Sequence, residues 1–208
     1  MDFNIRKANG DDKAQIARTL AYSFEQDFSG LTKDMERIAR VLENGVDARR
    51  FIVAERDCRI IGITGCADFT GRTLSPTKKD CINHLGFIRG SIAYMVLYEE
   101  SIKPLKCPAT TGVIDFVGVS EDARGKGEAK SMLDKTVERN TQYSEFILNV
   151  KDNNDRAIGI YERFGFAEYE RVLSTLLSVA FTRIPFQRLF ASIETPMPIS
   201  FIRGWFFR

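Results

Sequence analysis

Apolar and polar positions alternate along Phe3-Asn-Ile-Arg-Lys7, which predicts a first strand. From about Asp11 to Phe24 the period lengthens. Ile16, Leu20 and Phe24 fall on one helical face, and Asp11 or Asp12 can cap its start. A second helix is predicted over Leu31 to Leu42, with Met35, Ile38, Ala39 and Leu42 on one side. Phe51–Ala54 and Ile60–Ile63 read as strands, and the polar Glu55–Arg59 link makes them a hairpin. The pattern then changes over residues 69–111. Pro76 opens a stretch that is helical from about Thr77 to Ile102, interrupted at Gly86 and Gly90 and ended by Lys103-Pro104.

A buried strand follows at Val113–Val119. After a short polar turn, Ala129, Met132, Leu133, Thr136 and Val137 form a helical stripe. Phe146–Val150 is another strand, and Asn153-Asn154-Asp155 starts a helix that runs to about Phe164, with Gly165 placed to end it. Phe166–Tyr169 begins a further strand. Helices alternating with strands predict an α/β fold around a central mixed sheet. The stretch from Val172 to Arg208 differs from everything before it: no lysine, one acid (Glu194), four arginines, six phenylalanines and three prolines. It reads as a strand-rich or irregular segment that packs on the domain or on a partner subunit, with a membrane-surface segment as the competing reading.

Composition narrows the classes. A 208-residue chain that is 44% hydrophobic and 28% charged can bury a sizeable core. A formal net charge of +2 is too small to argue for nucleic acid or an anionic membrane as the main partner. No apolar run approaches the ~18 residues needed to span a bilayer, and the charged start (Asp2, Arg6, Lys7) is unlike a secretory signal, so a cytoplasmic location is expected. Cys58, Cys66, Cys81 and Cys107 have no C-x-x-C spacing and His84 is the single histidine, so no metal site is expected and free thiols are. Cys81 and His84 lie one helical turn apart, which leaves a catalytic pair as a second reading.

The chemistry concentrates where the Val113–Val119 strand turns through Ser-Glu-Asp-Ala into Arg124-Gly-Lys-Gly-Glu-Ala129. A glycine-rich helix start flanked by Arg124 and Lys126 aims unpaired N–H groups, the positive helix end and two cations at one spot. That suits a pyrophosphate. A second motif follows: Leu148-Asn-Val150, then Asn154, Ala157-Ile158, Tyr161-Glu162 and Arg163-Phe164-Gly165-Phe166. In order and spacing the two together resemble the GNAT N-acetyltransferases, over roughly residues 1–171.

The resemblance implies a GNAT fold, a mixed, mostly antiparallel twisted sheet flanked by helices and splayed at the cofactor cleft. Residues 69–111 would be an insertion shaping the acceptor side, and 172–208 an atypical C-terminal segment without a clear family counterpart. It implies acetyl-CoA as acyl donor, an unidentified primary amine as acceptor, and direct transfer in a ternary complex, since no cysteine sits in either motif. Arg124, Gly125, Lys126, Gly127, Glu128 and Ala129 would wrap the pyrophosphate, with the Glu128 side chain turned to solvent because a carboxylate repels phosphate. Val117, Gly118 and Val119 would lie along pantetheine, a local bulge freeing an N–H for the thioester oxygen. Asn154 would contact pantetheine or cap its helix. Ala157 would line the cofactor. Tyr161 would protonate the departing thiolate, or serve as a core aromatic. Asp115 shares the parity of Val117 and Val119 and could be the general base, or a buried hydrogen-bonded aspartate. A homodimer is compatible with this reading. The competing function is a non-catalytic CoA-binding sensor or assembly domain using the C-terminal segment as partner surface.

Overall fold

The computed structural model describes residues 3–173 and 186–192. Strand β1 (Asn4–Lys7) leads through a 3₁₀ turn, capped by Asn9, into helix α1 (Lys13–Ser23). A one-turn helix α2 (Glu25–Phe28), which the periodicity did not reveal, precedes α3 (Met35–Glu43), where the Asp34 side chain accepts the Arg37 N–H. Strands β2 (Phe51–Arg56) and β3 (Arg59–Ala67) form the expected hairpin. Its two-residue turn, Asp57-Cys58, holds both residues at positive φ (51° and 58°), the primed-turn conformation that matches strand twist.

Two helices follow within residues 69–111, parted at Gly86, one of the two glycines that interrupt the helical pattern, while Gly90 lies inside the second helix. A Thr77–Asp80 capping box starts α4 (Lys78–Leu85), and α5 (Phe87–Leu97) follows Gly86, whose φ of +81° ends the first helix. A side chain at Gly90 would come within 2.5 Å of the Cys81 carbonyl, so α4 and α5 pack backbone to backbone there. One π-helical turn, Tyr98–Ile102, ends the pair. Then come β4 (Thr111–Val119), α6 (Glu128–Arg139), β5 (Glu145–Lys151), α7 (Asp155–Phe164), β6 (Phe166–Leu173) and β7 (Phe186–Ser192).

The sheet order is β1-β2-β3-β4-β5-β7-β6. Every neighbouring pair is antiparallel except β4 and β5. Strand β7, drawn from the stretch whose composition stood apart, lies between β5 and β6 in that order. The rest of that stretch, 174–185 and 193–208, lies outside the described residues.

Side-chain alternation divides the core. Phe51, Val53 and Ile63 pack with α1, α3, α4 and α5 on one face. Ile52, Ala54 and Ile61 meet Met132 of α6 on the other, where Ile114, Leu148 and Phe190 pack with α6 and α7. Cys81 is fully buried in the first cluster, so its helical spacing to His84 does not produce an exposed catalytic pair. No helix among the described residues is long and apolar enough to cross a membrane.

Candidate functional site

The parallel pair opens the site. β4 and β5 pair only from Thr111 to Ile114, against Glu145 to Leu148; beyond that β4 pairs with β3 alone and β5 with β7 alone. The divergence begins beside a bulge. Gly65 pairs with Phe116 and Cys66 with Ile114, so Asp115 is the extra residue. The resemblance implied a bulge near Val117–Val119; the extra residue falls two positions earlier than Val117.

Past the bulge the direction of each backbone group can be read. Ser120 donates its N–H to Ile61 O at 2.8 Å, and Gly118 pairs with Ile63. With a two-residue alternation, Gly118 faces β3, while the N–H groups of Val117 and Val119 face the gap left by β5. The carbonyl of Val119 points the same way, since it accepts from Arg124 Nε at 3.1 Å. Gly118 is needed for packing. A Cβ there would meet the Ser23 side chain at 2.9 Å, where the end of α1 crosses β4.

A cleft of about 2270 Å³ follows this gap. One end is the loop before α6. Gly125 and Gly127 adopt φ of +93° and +90°, a conformation favouring glycine, and a Cβ at either would meet nothing within 4 Å. The loop therefore presents open space above a helix start whose Gly127 cap supplies no side-chain hydrogen bond, leaving first-turn N–H groups available. Arg124 and Lys126 make no ion pair with a carboxylate among the described residues. Arg124, Gly125, Gly127, Glu128 and Ala129 all line the cleft. Cradle, open space and cations fit a pyrophosphate.

Glu128 corrects an expectation. Instead of turning to solvent it is buried (1% exposed), with Oε2 accepting the Lys126 N–H at 3.1 Å and Oε1 enclosed without a partner among the described residues. It is the first residue of α6, and its side chain turns toward the protein while the loop above the helix start stays open.

Across the gap, α7 carries Asn154, Ala157 and Tyr161 along the cleft. Asn154 Oδ1 accepts the Ala157 N–H at 3.1 Å, so its carbonyl caps the helix and its Nδ2 remains to donate. Tyr161 is buried against Phe166 and Phe190, with ring centroids 6.1 and 6.4 Å away. Burial pushes its phenol above the ordinary value, which keeps the proton on oxygen.

Asp115 reaches the cleft wall, but both its oxygens are engaged. Oδ1 accepts from Arg72 Nη2 at 2.9 Å, and Oδ2 from Thr73 Oγ1 at 2.9 Å and Thr73 N at 3.4 Å. This is the hydrogen-bonded aspartate of the second reading, with donors already on both oxygens. The same guanidinium donates to Glu100 O (2.8 Å) and Lys103 O (3.4 Å), so Arg72 ties the π-helical turn to the β4 bulge. A lone arginine in a polar loop carried no signal of this in the sequence. The cleft is also lined by Phe24, edge-on to Phe116 at 5.6 Å, and by an Asp27–Lys151 ion pair that joins α2 to β5.

Thiol chemistry finds no support. Burial pushes Cys66 up to about 12, and Cys81 and Cys107 up to about 11, far from thiolate formation. Among the described residues no group of three His, Cys, Asp or Glu could hold a metal ion.

A parallel pair that parts at a bulge, beside a helix start shaped for phosphate, is the splayed sheet that the resemblance implied. The model of the acetyltransferase (GNAT) family matches residues 18–166, and the chain belongs to that family. Among solved structures it resembles an N-acetyltransferase from Staphylococcus aureus Mu50 (TM-score 0.59, 16% identity, covering 90% of this chain and 99% of that one). It also resembles Arabidopsis thaliana Naa50 in complex with a bisubstrate analogue, CoA-Ac-MVNAL (TM-score 0.56, 13% identity, 92% and 99% covered). A third is yncA, a putative acetyltransferase from Salmonella typhimurium with its cofactor acetyl-CoA (TM-score 0.56, 16% identity, 95% and 96% covered). No curated protein matches the chain. At these identities the structural likeness establishes the fold.

Proposed function

We propose that the protein moves the acetyl group of acetyl-CoA to a primary amine by direct attack within a ternary complex. The observation that carries this reading is the gap beyond Ile114, which leaves the N–H groups of Val117 and Val119 facing the cleft between the phosphate-shaped loop and Tyr161. The 124–129 loop would take the pyrophosphate through backbone N–H groups, with Arg124 and Lys126 adding charge. Pantetheine would lie along Val117–Val119 as a substitute strand, with Asn154 Nδ2 and the small Ala157 beside it. Attack of the amine nitrogen on the thioester carbon puts charge on the carbonyl oxygen, and an N–H of Val117 or Val119 stabilises it. The C–S bond then breaks, and Tyr161 gives its proton to the sulfur. The desolvation that raises the phenol would also raise a thiol beside it, as it does Cys66, so the transfer is not handicapped by Tyr161's burial. Asp115 is assigned to hold Arg72, and the proton of the attacking amine leaves through water.

Calorimetric titration with acetyl-CoA and CoA, followed by thiol release across a panel of amines, tests this. Micromolar binding and amine-dependent release are expected. A well-folded chain that binds neither ligand would overturn it, and binding without release to any amine would favour a CoA-binding module instead.

A further inference from the structure

The helix start that would receive a ligand's phosphates already holds an anion of its own. Glu128 is 1% exposed, and its Oε2 occupies the Lys126 N–H, a donor belonging to the cradle. Its Oε1 is enclosed with no partner among the described residues. Among the described residues no cation forms an ion pair with it. Arg124 Nε binds Val119 O, while Arg56 and Arg59 both reach Asp122, at 3.3 and 3.8 Å. The carboxylate is therefore compensated by one N–H and the end of the helix, the same two features that would stabilise a pyrophosphate.

We infer that Glu128 is a built-in rival of the pyrophosphate, a residue that sets the affinity of the site for acetyl-CoA and speeds release of CoA. This rests on the acetyl-CoA reading above. Two anions cannot share one helix end without repulsion, and away from water that repulsion is weakly screened. The arriving ligand must either displace the carboxylate from the Lys126 N–H or bind beside it, and both weaken binding. Nothing comparable acts on the pantetheine portion, which is uncharged.

The experiment measures dissociation constants for acetyl-CoA, CoA and S-acetylpantetheine with the full chain and with Glu128→Gln. Glutamine keeps the shape and an oxygen for the Lys126 N–H while removing the charge. Glu128→Leu, which also frees that N–H, is the second variant, and circular dichroism confirms that each is folded. Acetyl-CoA and CoA should bind about tenfold tighter to Glu128→Gln, since like-charge juxtaposition is strongly unfavourable. CoA should leave more slowly in stopped-flow displacement, and S-acetylpantetheine should be unaffected. Equal or weaker binding of acetyl-CoA by the folded variants would overturn the inference and leave Glu128 a packing residue. Tightening of S-acetylpantetheine to the same degree would also overturn it, by placing the effect away from the phosphates. If neither the natural chain nor any variant binds acetyl-CoA, the functional reading falls together with this one.

Discussion

The two halves of β4 are one strand with two purposes. From Thr111 to Ile114 it is buried and paired with β5, with Val113 and Ile114 held by β3 as well; past the bulge at Asp115, Phe116 to Val119 pair with β3 alone, and this half is mostly half-buried. The side chains of the two halves are alike in kind: Val and Ile in the first, Phe and two Val in the second. What separates them is the partner strand. The bulge at Asp115 and the departure of β5 turn backbone groups that would be sheet into groups that can bind, so the site is built by withholding pairing rather than by adding special residues.

A proline substitution separates the halves most sharply. Val113→Pro disturbs a strand held on both edges and is expected to prevent folding, since proline inside a central strand removes a ladder bond and clashes. Val117→Pro deletes an N–H that faces the gap. It is expected to leave a folded protein whose turnover falls by about 10²–10³-fold, the loss typical of an oxyanion donor. Circular dichroism and thiol release measure the two. Equal unfolding by both would erase the distinction between the halves.

Next in size is the joint between them. The Asp115 side chain is 4% exposed and that of Arg72 10%, so Asp115→Ala strands a buried guanidinium and should cost about 3–5 kcal/mol in denaturant unfolding. Arg72→Ala should cost a similar amount, and the double variant less than the sum. Additive losses would mean that the two side chains do not act as a pair.

The two halves were also unequally legible. Strand β4, the loop, α6 and α7 announce themselves through periodicity, glycine spacing and the Asn154–Tyr161 interval, all of them local signals. The gap between β4 and β5 is a relation between residues far apart in sequence, and nothing in Val117 or Val119 says which neighbour their N–H groups lack. Arg72 was invisible for the same reason, since its partners at Asp115, Glu100 and Lys103 meet only in the fold. The burial of Glu128 is likewise a tertiary effect. A charged residue at a helix start normally faces water, and here tertiary packing turned that position inward. The stretch that supplies β7 reads as strand-rich or irregular, and nothing local in it says that a strand from it pairs between β5 and β6.

Across the gap, Tyr161→Phe should lower turnover by roughly 10²-fold, the usual worth of a positioned acid, with acetyl-CoA affinity nearly intact because the ring keeps its contacts with Phe166 and Phe190. An unchanged turnover would return Tyr161 to the core and leave the thiolate to be protonated by water.

The smallest effect expected is at the outer end of the unpaired half. Arg124 holds the Val119 carbonyl through Nε and projects into the exposed loop, so Arg124→Ala removes both a tether on β4 and a cation near the phosphates. Acetyl-CoA affinity should drop by about three- to tenfold at low salt, and the gap between variant and natural chain should narrow as ionic strength rises, because exposed charges are screened over about 8–10 Å. If the difference persists at high salt, the tether to Val119 is the larger contribution, and the open half of β4 depends on Arg124 for its shape rather than for its charge. If the difference vanishes, β4 keeps its geometry unaided and Arg124 serves the ligand alone.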